Sequence, residues 1–344
     1  RKRPCPAPES AGSQVIAPTP SKYRGVTAGF SSEPFVYVLV LNWNRWRETA
    51  ACVRSVLAST YRRFELLVID NGSREPAPES FQPGVDFLQL RENLGYAGGN
   101  NIGIRRALER NARYVWILNN DAEAEPDALG ALVTAAEADA TWGALTSLIL
   151  TPDGRVDEGL VGALPDGQRW DPVRRPHVVP LRAASGDGRV EEVALLRGPS
   201  LLLRSDALRT AGLFDESYFH YLEEMDLMER LVRAGWRLGL VRASRVTHAK
   251  GATLAYDTPQ SLYYLHRNHF RFEQKLFGAH PMRVVLRHPI RRLRALLALR
   301  ATLRGDIRPL AAQARAFRDA VRGRTGPIDL GERYLERVPR PRGK

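Results

Sequence analysis

Uninterrupted apolar runs alternate with mixed, helix-periodic stretches through the first half of the chain. Phe35–Leu41 (FVYVLVL) is apolar throughout and rich in β-branched residues, which predicts a strand buried on both faces. Glu65–Asp70 (ELLVID), Asp86–Leu90 and Tyr114–Leu118 (YVWIL) repeat that signal. Between them, Glu48–Ser59, Asn100–Arg110 and Pro126–Asp139 read as helices, the last with Pro in its first turn. Beyond Thr151 the sequence loosens into Gly-, Pro- and Asp-rich loops as far as about Arg189. It resumes with a strand-like Val193–Arg204, a helix at Glu223–Ala234 and a strand at Arg237–Val246. An Arg-rich helical region closes the chain. Residues 1–33, rich in Pro, Ser, Gly and Ala and without periodicity, read as a disordered leader.

Strands that alternate with helices imply an α/β fold with a largely parallel sheet covered on both faces. In such sheets ligands bind outside the carboxyl ends of the strands. Three of the expected strands run directly into polar residues: Asn42-Trp43-Asn44, Asp70-Asn71-Gly72-Ser73 and Asn119-Asn120-Asp121. These segments are expected to converge on one crevice.

Composition adds little to that picture, and charge adds more. A chain of 344 residues holds one large domain or two modest ones, and 44% hydrophobic residues is ordinary for a globular protein. Only Cys5 and Cys52 are present, which argues against a disulfide framework and fits a reducing compartment. No apolar run reaches roughly 18 residues, so no transmembrane helix is expected. The first residues lack the charged-then-apolar layout of a signal peptide, and without an initiator Met the chain is compatible with a fragment. The net charge of +13 suggests nucleic acid until it is located. Pro281–Lys344 carries 17 Lys and Arg against 5 Asp and Glu, a net of +12, which leaves the remainder at +1. Within that tail, Arg283–Leu286 and Ile290–Leu299 mix Arg with Val, Leu and Ile at helical spacing on either side of Pro289. Such a pattern favours an anionic membrane surface over nucleic acid, with an Arg-decorated helix packed on the body as the third possibility.

Several segments carry candidate chemistry. Asp70-Asn71-Gly72-Ser73 is either a plain turn or a ligand loop in which the Asp70 carboxylate accepts from a base N–H. Asn93-Leu94-Gly95-Tyr96-Ala97-Gly98-Gly99-Asn100-Asn101 is a Gly-rich loop entering a helix, a layout that lets backbone amides approach a phosphate. It lacks the GxGxxG spacing of a dinucleotide fingerprint, and read in isolation a plain tight loop explains it better. Asp121 at a strand end suits Mg²⁺, which is held by one or two carboxylates together with substrate phosphates. Glu223, Glu224 and Asp226 crowd the start of a helix behind the aromatic stretch Tyr218–Tyr221. First-turn acids complement the helix dipole, while an apolar wall raises a carboxylate's pKa toward that of a working base.

Taken in order, the segments VLVLNWNR (38–45), LLVIDNGS (66–73), ENLGYAGGNNIGIRRAL (92–108), WILNNDAEAEP (116–126), GLFDESYFHYLEEMDLMERLVRAGWRL (212–238) and VTHAKG (246–251) resemble the family 2 glycosyltransferases, particularly a bacterial rhamnosyltransferase-like branch. The resemblance covers about Phe35 to Leu276. It implies a GT-A fold at 34–255, with a mostly parallel mixed sheet flanked by helices, and a basic helical C-terminal extension at 256–344. It implies nucleotide-sugar contacts from Asn42, Asn44, Asp70, Asn93, Gly95, Gly99, Asn100 and Asn120. Asn119 and Asp121 take the two acidic positions of the family's DxD motif, with His248 as a further ligand for Mg²⁺ or Mn²⁺. Glu224 aligns with the catalytic base, and Glu223 and Asp226 stand beside it as alternatives. Two departures stand out: Asn119 replaces an acid, and Glu223-Glu224 replaces the usual Glu-Asp pair.

The implied reaction is a single, inverting displacement. It moves a sugar from a dTDP- or UDP-linked donor to a glycan or polyprenyl-linked acceptor in cell-surface polysaccharide synthesis. The implied place is the cytoplasm, peripheral on the inner face of the cell membrane, with no nucleic-acid partner. The rivals are a nucleotidyltransferase, which LNWNR does not suit, and a non-catalytic nucleotide-sugar or carbohydrate-binding homologue.

Overall fold

A computed structural model describes residues 15–19, 33–78, 85–157, 161–162, 190–196, 198–249, 258–278 and 308–328. In chain order the elements are β1 (Val15–Thr19), β2 (Val36–Asn42), α1 (Trp46–Leu57), β3 (Phe64–Asp70), β4 (Asp86–Leu90), α2 (Gly95–Glu109), β5 (Tyr114–Asn119) and β6 (Ala122–Ala124). There follow α3 (Ala128–Ala138), β7 (Trp142–Leu150), β8 (Val161–Gly162), β9 (Val190–Glu192), β10 (Leu195–Leu196) and β11 (Ser200–Arg204). The last are α4 (Ser205–Ala211), α5 (Glu223–Arg233), β12 (Arg237–His248), α6 (Pro259–Phe277) and α7 (Arg308–Val321).

The main sheet runs β1-β4-β3-β2-β5-β11-β7-β12-β6. Its first half, β4 through β5, is parallel. In the second half β11 lies antiparallel between β5 and β7, β7 and β12 run parallel, and β6 pairs antiparallel with the far end of β12. The two-residue side periodicity of β2 explains why the sheet is covered on both faces. Tyr37 and Leu39 join a core against α2, α4 and α5, whereas Val36, Val38 and Val40 join the opposite core against α1 and α3. All five side chains are buried, and each stabilises the fold by roughly 1.5–3 kcal/mol.

Four elements differ from the sequence reading. β7 was not anticipated, although WGALTSLIL is nine residues long and almost wholly buried, because its small and hydroxylic residues dilute the apolar signal. Thr146 and Ser147 bond to Ser200 and Ser244 inside the sheet, so these hydroxyls are satisfied without water. The single strand expected over Val193–Arg204 is two, β10 and β11, which belong to different sheets. The stretch read as a structureless leader contributes β1, which pairs antiparallel with the edge strand β4 through Val15 and Ile16. Finally, α2 begins at Gly95 rather than Asn100.

The C-terminal extension is not a separate appendage where it is described. Helix α7 packs on α6 through Ala312 and Ala316 against Tyr263 and Tyr264, with Phe219, Tyr221 and Ile328 at the margin of that cluster. The boundary expected near 255 therefore divides the sequence but not the packing. Among the described residues no helix is long and apolar enough to cross a membrane. The amphipathic segments Arg283–Leu286 and Ile290–Leu299 lie outside the described residues.

Candidate active site

In-register pairing brings the polar strand ends together. Asn42 stands opposite Asp70 in the β2–β3 pair, and Leu41 stands opposite Asn119 in the β2–β5 pair. A cavity of about 390 Å³ opens at this edge, lined by Trp43, Asn71, Asn93, Gly95, Tyr96, Asn100, Asn119, Asn120 and Asp121. The remainder of its lining comes from Phe219, His220, Tyr221, His248, Gln260, Tyr264, Pro327 and Ile328.

Asn42, Asn44 and Asp70 do not line the cavity themselves; they form the hydrogen-bonded network next to it. Asn42 Oδ1 accepts from Thr49 Oγ1 at 2.8 Å and from the Arg45 amide at 3.1 Å, and Asn42 Nδ2 donates toward Asp70 and Ser73. Asn44, in a left-handed conformation (φ 57°), receives the Arg74 amide on its side chain and donates its own amide to Ser73 Oγ. Asn120 Nδ2 donates to Thr49 Oγ1 at 3.1 Å, so the third strand end is tied to the first. Burial raises the Asp70 pKa, against the hydrogen bonds from Ser73 and Asn42. One Asp70 oxygen, Oδ2, is buried with no hydrogen-bond partner among the described residues. An orphaned acceptor of this kind is costly, and a ligand N–H would satisfy it.

The glycine-rich segment is neither a plain tight loop nor a phosphate-cradling loop ahead of a helix: from Gly95 on it is the first turn and a half of α2. Its leading N–H groups are already occupied: Gly95 donates to Asn93 Oδ1 at 2.8 Å and Tyr96 to the Phe219 carbonyl at 2.7 Å. The glycines serve close approach. A Cβ on Gly99 would meet Leu41 at 2.6 Å, and one on Gly103 would meet Leu39 at 2.7 Å, so the pair lets α2 lie directly on β2. Gly99 is thus a packing residue that does not line the cavity, unlike its neighbour Asn100. Asn100 Nδ2 donates to the Tyr96 carbonyl, and its Oδ1 is buried without a partner among the described residues. Gly95 has φ +74°, and a Cβ there would fall 2.1 Å from the Phe219 carbonyl oxygen. Asn93 lines the cavity and also receives Asn71 Nδ2, which locks the turn into α2.

The metal-ligand candidates meet through the sheet. β12 shifts register on β7 between Val241 and Arg245, and its far end then lies between β7 and β6. There His248 pairs with Ala122, and His248 Nε2 lies 3.2 Å from Asp121 Oδ1. Asn119 lines the same wall. His248 Nδ1 is buried and has no partner among the described residues. One carboxylate, one imidazole and one amide form an oxygen/nitrogen set that suits Mg²⁺ or Mn²⁺ when diphosphate oxygens and water complete the shell. No group of three His, Cys, Asp or Glu able to hold a metal occurs among the described residues, so the protein offers no closed cage. The donor set fits a cation that arrives with its substrate.

The carboxylates approach from the other side, behind an unusual backbone. Phe219 has φ 64° and ψ −57°, and the His220 amide donates to the Tyr218 carbonyl at 2.8 Å. That is a left-handed γ-turn, a rare and strained conformation. Tyr221 (φ 71°) and Leu222 (φ 73°) are left-handed too. Each such residue costs roughly 1–3 kcal/mol, which the surroundings must offset. Helix α5 starts directly from this loop with no side-chain cap, and Glu223, Glu224 and Asp226 stand in its first turn.

The three acids have different surroundings. Asp226 is fully buried and spoken for: Arg230 Nε and Lys275 Nζ each lie 2.7 Å from it, and Tyr218 Oη donates at 3.2 Å. It is a structural ion-pair centre and not a free base, which corrects its place among the catalytic candidates. Glu223 is buried, with Oε2 lacking a partner among the described residues. Desolvation, and then the charge of Glu224, push its pKa up to about 8. Glu224 is half-buried, accepts from the Gly198 amide at 3.4 Å, and acts electrostatically on Tyr96 of the cavity wall. Neither glutamate lines the cavity directly. His220 does, and burial lowers its pKa to about 4, so its imidazole is neutral at physiological pH.

Sequence reasoning missed Gln260, Tyr264, Pro327 and Ile328, which carry the C-terminal extension into the cavity. Tyr264 stacks on Phe219 with ring centroids 5.3 Å apart, and the Ile328 amide donates to Tyr264 Oη at 2.9 Å. Only the aromatic pair Tyr263-Tyr264 on an otherwise polar helix hinted at this.

An α/β sheet thus presents its strand ends to a carboxylate–imidazole pair, with an acidic helix start next to the cavity lining. The family model described as glycosyl transferase family 2 matches residues 37–172. Among curated proteins, the N-acetylglucosaminyl-diphospho-decaprenol L-rhamnosyltransferase of Mycobacterium tuberculosis is 30% identical over 73% of this chain and 88% of its own length. Galactofuranosyltransferase GlfT1 of the same organism is 26% identical over 63% of this chain and 71% of its own. The chain belongs to glycosyl transferase family 2. Solved structures agree on the fold. Staphylococcus aureus TarS 1-349 in complex with UDP-GlcNAc superposes with a TM-score of 0.52 at 14% identity, over 83% of this chain and 81% of that one. GalNAc-T7 with UDP, GalNAc and Mn²⁺ gives a TM-score of 0.52 at 18% identity, over 68% of this chain and 47% of that one.

Proposed function

We propose that this glycosyltransferase is inverting and metal-assisted, and that it moves a deoxyhexose such as rhamnose from a dTDP- or UDP-linked donor to a polyprenyl-diphosphate-linked sugar. The observation that carries the reading is the meeting of Asp121 and His248, 3.2 Å apart, at a cavity whose Phe219–Tyr221 lining leads directly into the α5 carboxylates. The rhamnosyl and lipid-linked parts rest on the name of the mycobacterial relative.

In this reading the nucleoside sits against Trp43 and Asn71, where the buried Oδ2 of Asp70 receives a base N–H. A divalent cation held by Asp121 and His248, with Asn119 beside them, supplies the charge that neutralises the departing diphosphate. Glu224 takes the proton of the acceptor hydroxyl as that oxygen bonds to the anomeric carbon on the face opposite the breaking bond to diphosphate. Glu223, its pKa pushed up to about 8 by burial and then by the charge of Glu224, places no further charge directly beside Glu224 at neutral pH. His220 and Tyr221 give the acceptor a neutral aromatic wall. The basic tail holds the enzyme at the inner face of the cell membrane, where cell-surface polysaccharide precursors are assembled.

A panel of dTDP-rhamnose and UDP-sugars, offered with a polyprenyl-diphosphate-GlcNAc acceptor and read by mass spectrometry with and without Mn²⁺, tests this. Transfer of one sugar with inverted configuration, lost in EDTA, is the expected result. Metal-independent transfer would remove the role of Asp121 and His248, and no transfer from any donor would remove the enzyme reading. The membrane role is tested by flotation with anionic liposomes after Arg283, Arg287, Arg291 and Arg292 are changed to Gln. This variant is preferable to truncation near Met282, which would delete α7 and Ile328 from the body.

A further inference from the structure

The loop before α5 holds three non-glycine residues at positive φ within four positions, held locally by the γ-turn bond from the His220 amide to the Tyr218 carbonyl. Helix α5 has no side-chain cap, and its N-cap residue, Leu222, is one of the three. Further support comes from α6, more than forty residues downstream. Asn268 is fully buried there, and its Nδ2 lies 2.8 Å from the Tyr218 carbonyl oxygen, 2.7 Å from that of His220 and 2.9 Å from that of Tyr221, so its two hydrogens are shared among three acceptors. Three carbonyl oxygens that converge on one point repel one another unless a donor sits between them, and the γ-turn is what makes them converge. The other end of the amide is also used: Asn268 Oδ1 accepts from Arg267 Nε at 2.9 Å.

Arg267 extends the clasp. It is 2% exposed, lies over the rings of Tyr263 and Tyr264, and donates to the Tyr218 carbonyl at 2.9 Å and to the Gly326 carbonyl at 2.6 Å. Pro327 and Ile328, directly after Gly326, line the cavity. Two adjacent residues of α6 therefore hold both the loop that launches Glu223 and Glu224 and the C-terminal segment that closes the acceptor side.

We propose that Asn268, backed by Arg267, is a positioning residue for glycosyl transfer: it fixes the strained Phe219–Leu222 loop and so sets where the carboxylate pair at the start of α5 meets the acceptor. This rests on the reading of Glu224 as the base. A displacement of about 1 Å at a reacting group costs about 100-fold in rate. The donor half of the cavity is built on β2, β3, β5 and α2, to which Asn268 makes no hydrogen bond among the described residues.

The test compares Asn268→Leu, which removes the donors at similar volume, with Tyr263→Phe, which removes the bond from Tyr263 Oη to Asp319 on the same helix and spares the loop. For Asn268→Leu, kcat per folded molecule is expected to fall about 100-fold, with the Kd for free UDP or dTDP held within about threefold. Hydrogen exchange in residues 217–226 is expected to speed up at least about tenfold, since the loop loses its clasp. Tyr263→Phe is expected to lower the melting temperature while kcat and loop exchange stay at wild-type values. Should the leucine variant not fold, Asn268→Ser carries the same comparison. Wild-type kcat in the Asn268 variant, or equal kcat losses in both variants, would overturn the proposal. Wild-type protein that transfers no sugar refutes the proposed function instead; loop exchange then decides the clasp alone, and unchanged exchange overturns it.

Discussion

The two walls of the cavity are built by different means. The donor wall is made from the ends of β2, β3 and β5, adjacent parallel strands whose register alone brings Asn42, Asp70 and Asn119 to one edge. Its side chains bond mainly to one another, as in the Asn42–Thr49–Asn120 link, and the sheet that carries them is buried on both faces. The acceptor wall is made from a strained loop, a helix start and two segments of the C-terminal extension. None of these is fixed by its own sequence neighbourhood alone. A regular sheet places ligand-binding groups without strain, whereas the carboxylates at the start of α5 follow an irregular backbone held from a distance.

That contrast is open to measurement, beginning where the effects are largest. Asp121→Ala is expected to remove several kcal/mol of charge stabilisation, about a 1,000-fold loss in kcat, together with any Mn²⁺ response. Glu224→Gln is expected to cost about 100- to 10,000-fold in kcat with an unchanged nucleotide Kd. Near-normal turnover in that variant would shift the base to Glu223. Gly95→Ala strikes the seam between the walls, because its Cβ would press on the Phe219 carbonyl and its φ is positive. A loss of roughly 2–4 kcal/mol in unfolding free energy is expected by urea titration. Asp70→Asn addresses the donor wall alone: donor KM is expected to rise about tenfold with kcat nearly kept, the worth of one hydrogen bond to a charged group.

The smallest effect is a pH dependence at the acceptor wall. Burial, and then the charge of Glu224, push the Glu223 pKa from about 4.5 in the unfolded chain up to about 8 in the folded one. The folded state therefore binds that proton more tightly, and the stability it contributes is complete below 4.5 and lost as pH rises through about 8. Glu223→Gln is expected to flatten the decline in melting temperature across that window. An unchanged slope would show that Glu223 is ionised in the folded protein at neutral pH.

The donor wall was largely legible in the sequence. Continuous β-branched runs marked the strands, and the polar residues that end them marked the edge, because backbone register follows from local pattern. Asp226 shows where such reading stops. Its position in a first helical turn suggested chemistry, yet Lys275 reaches it from α6 and makes it structural. The glycines at 99 and 103 show the same limit, since a loop signal and a close-packing signal look alike until the partner, β2, is known.

The sequence by itself determined the α/β alternation, the strand-end chemistry of Asn42, Asp70 and Asp121, and the family to which the chain belongs, because each is written in contiguous residues. Tertiary structure alone decided that His248 reaches Asp121, that α2 starts at Gly95, and that α6 with residues 326–328 completes the cavity. Those outcomes depend on a register shift in β12, on steric contact with Phe219, and on carbonyls that converge upon Asn268. Each is a contact between segments far apart in the chain, whose energy has no local trace.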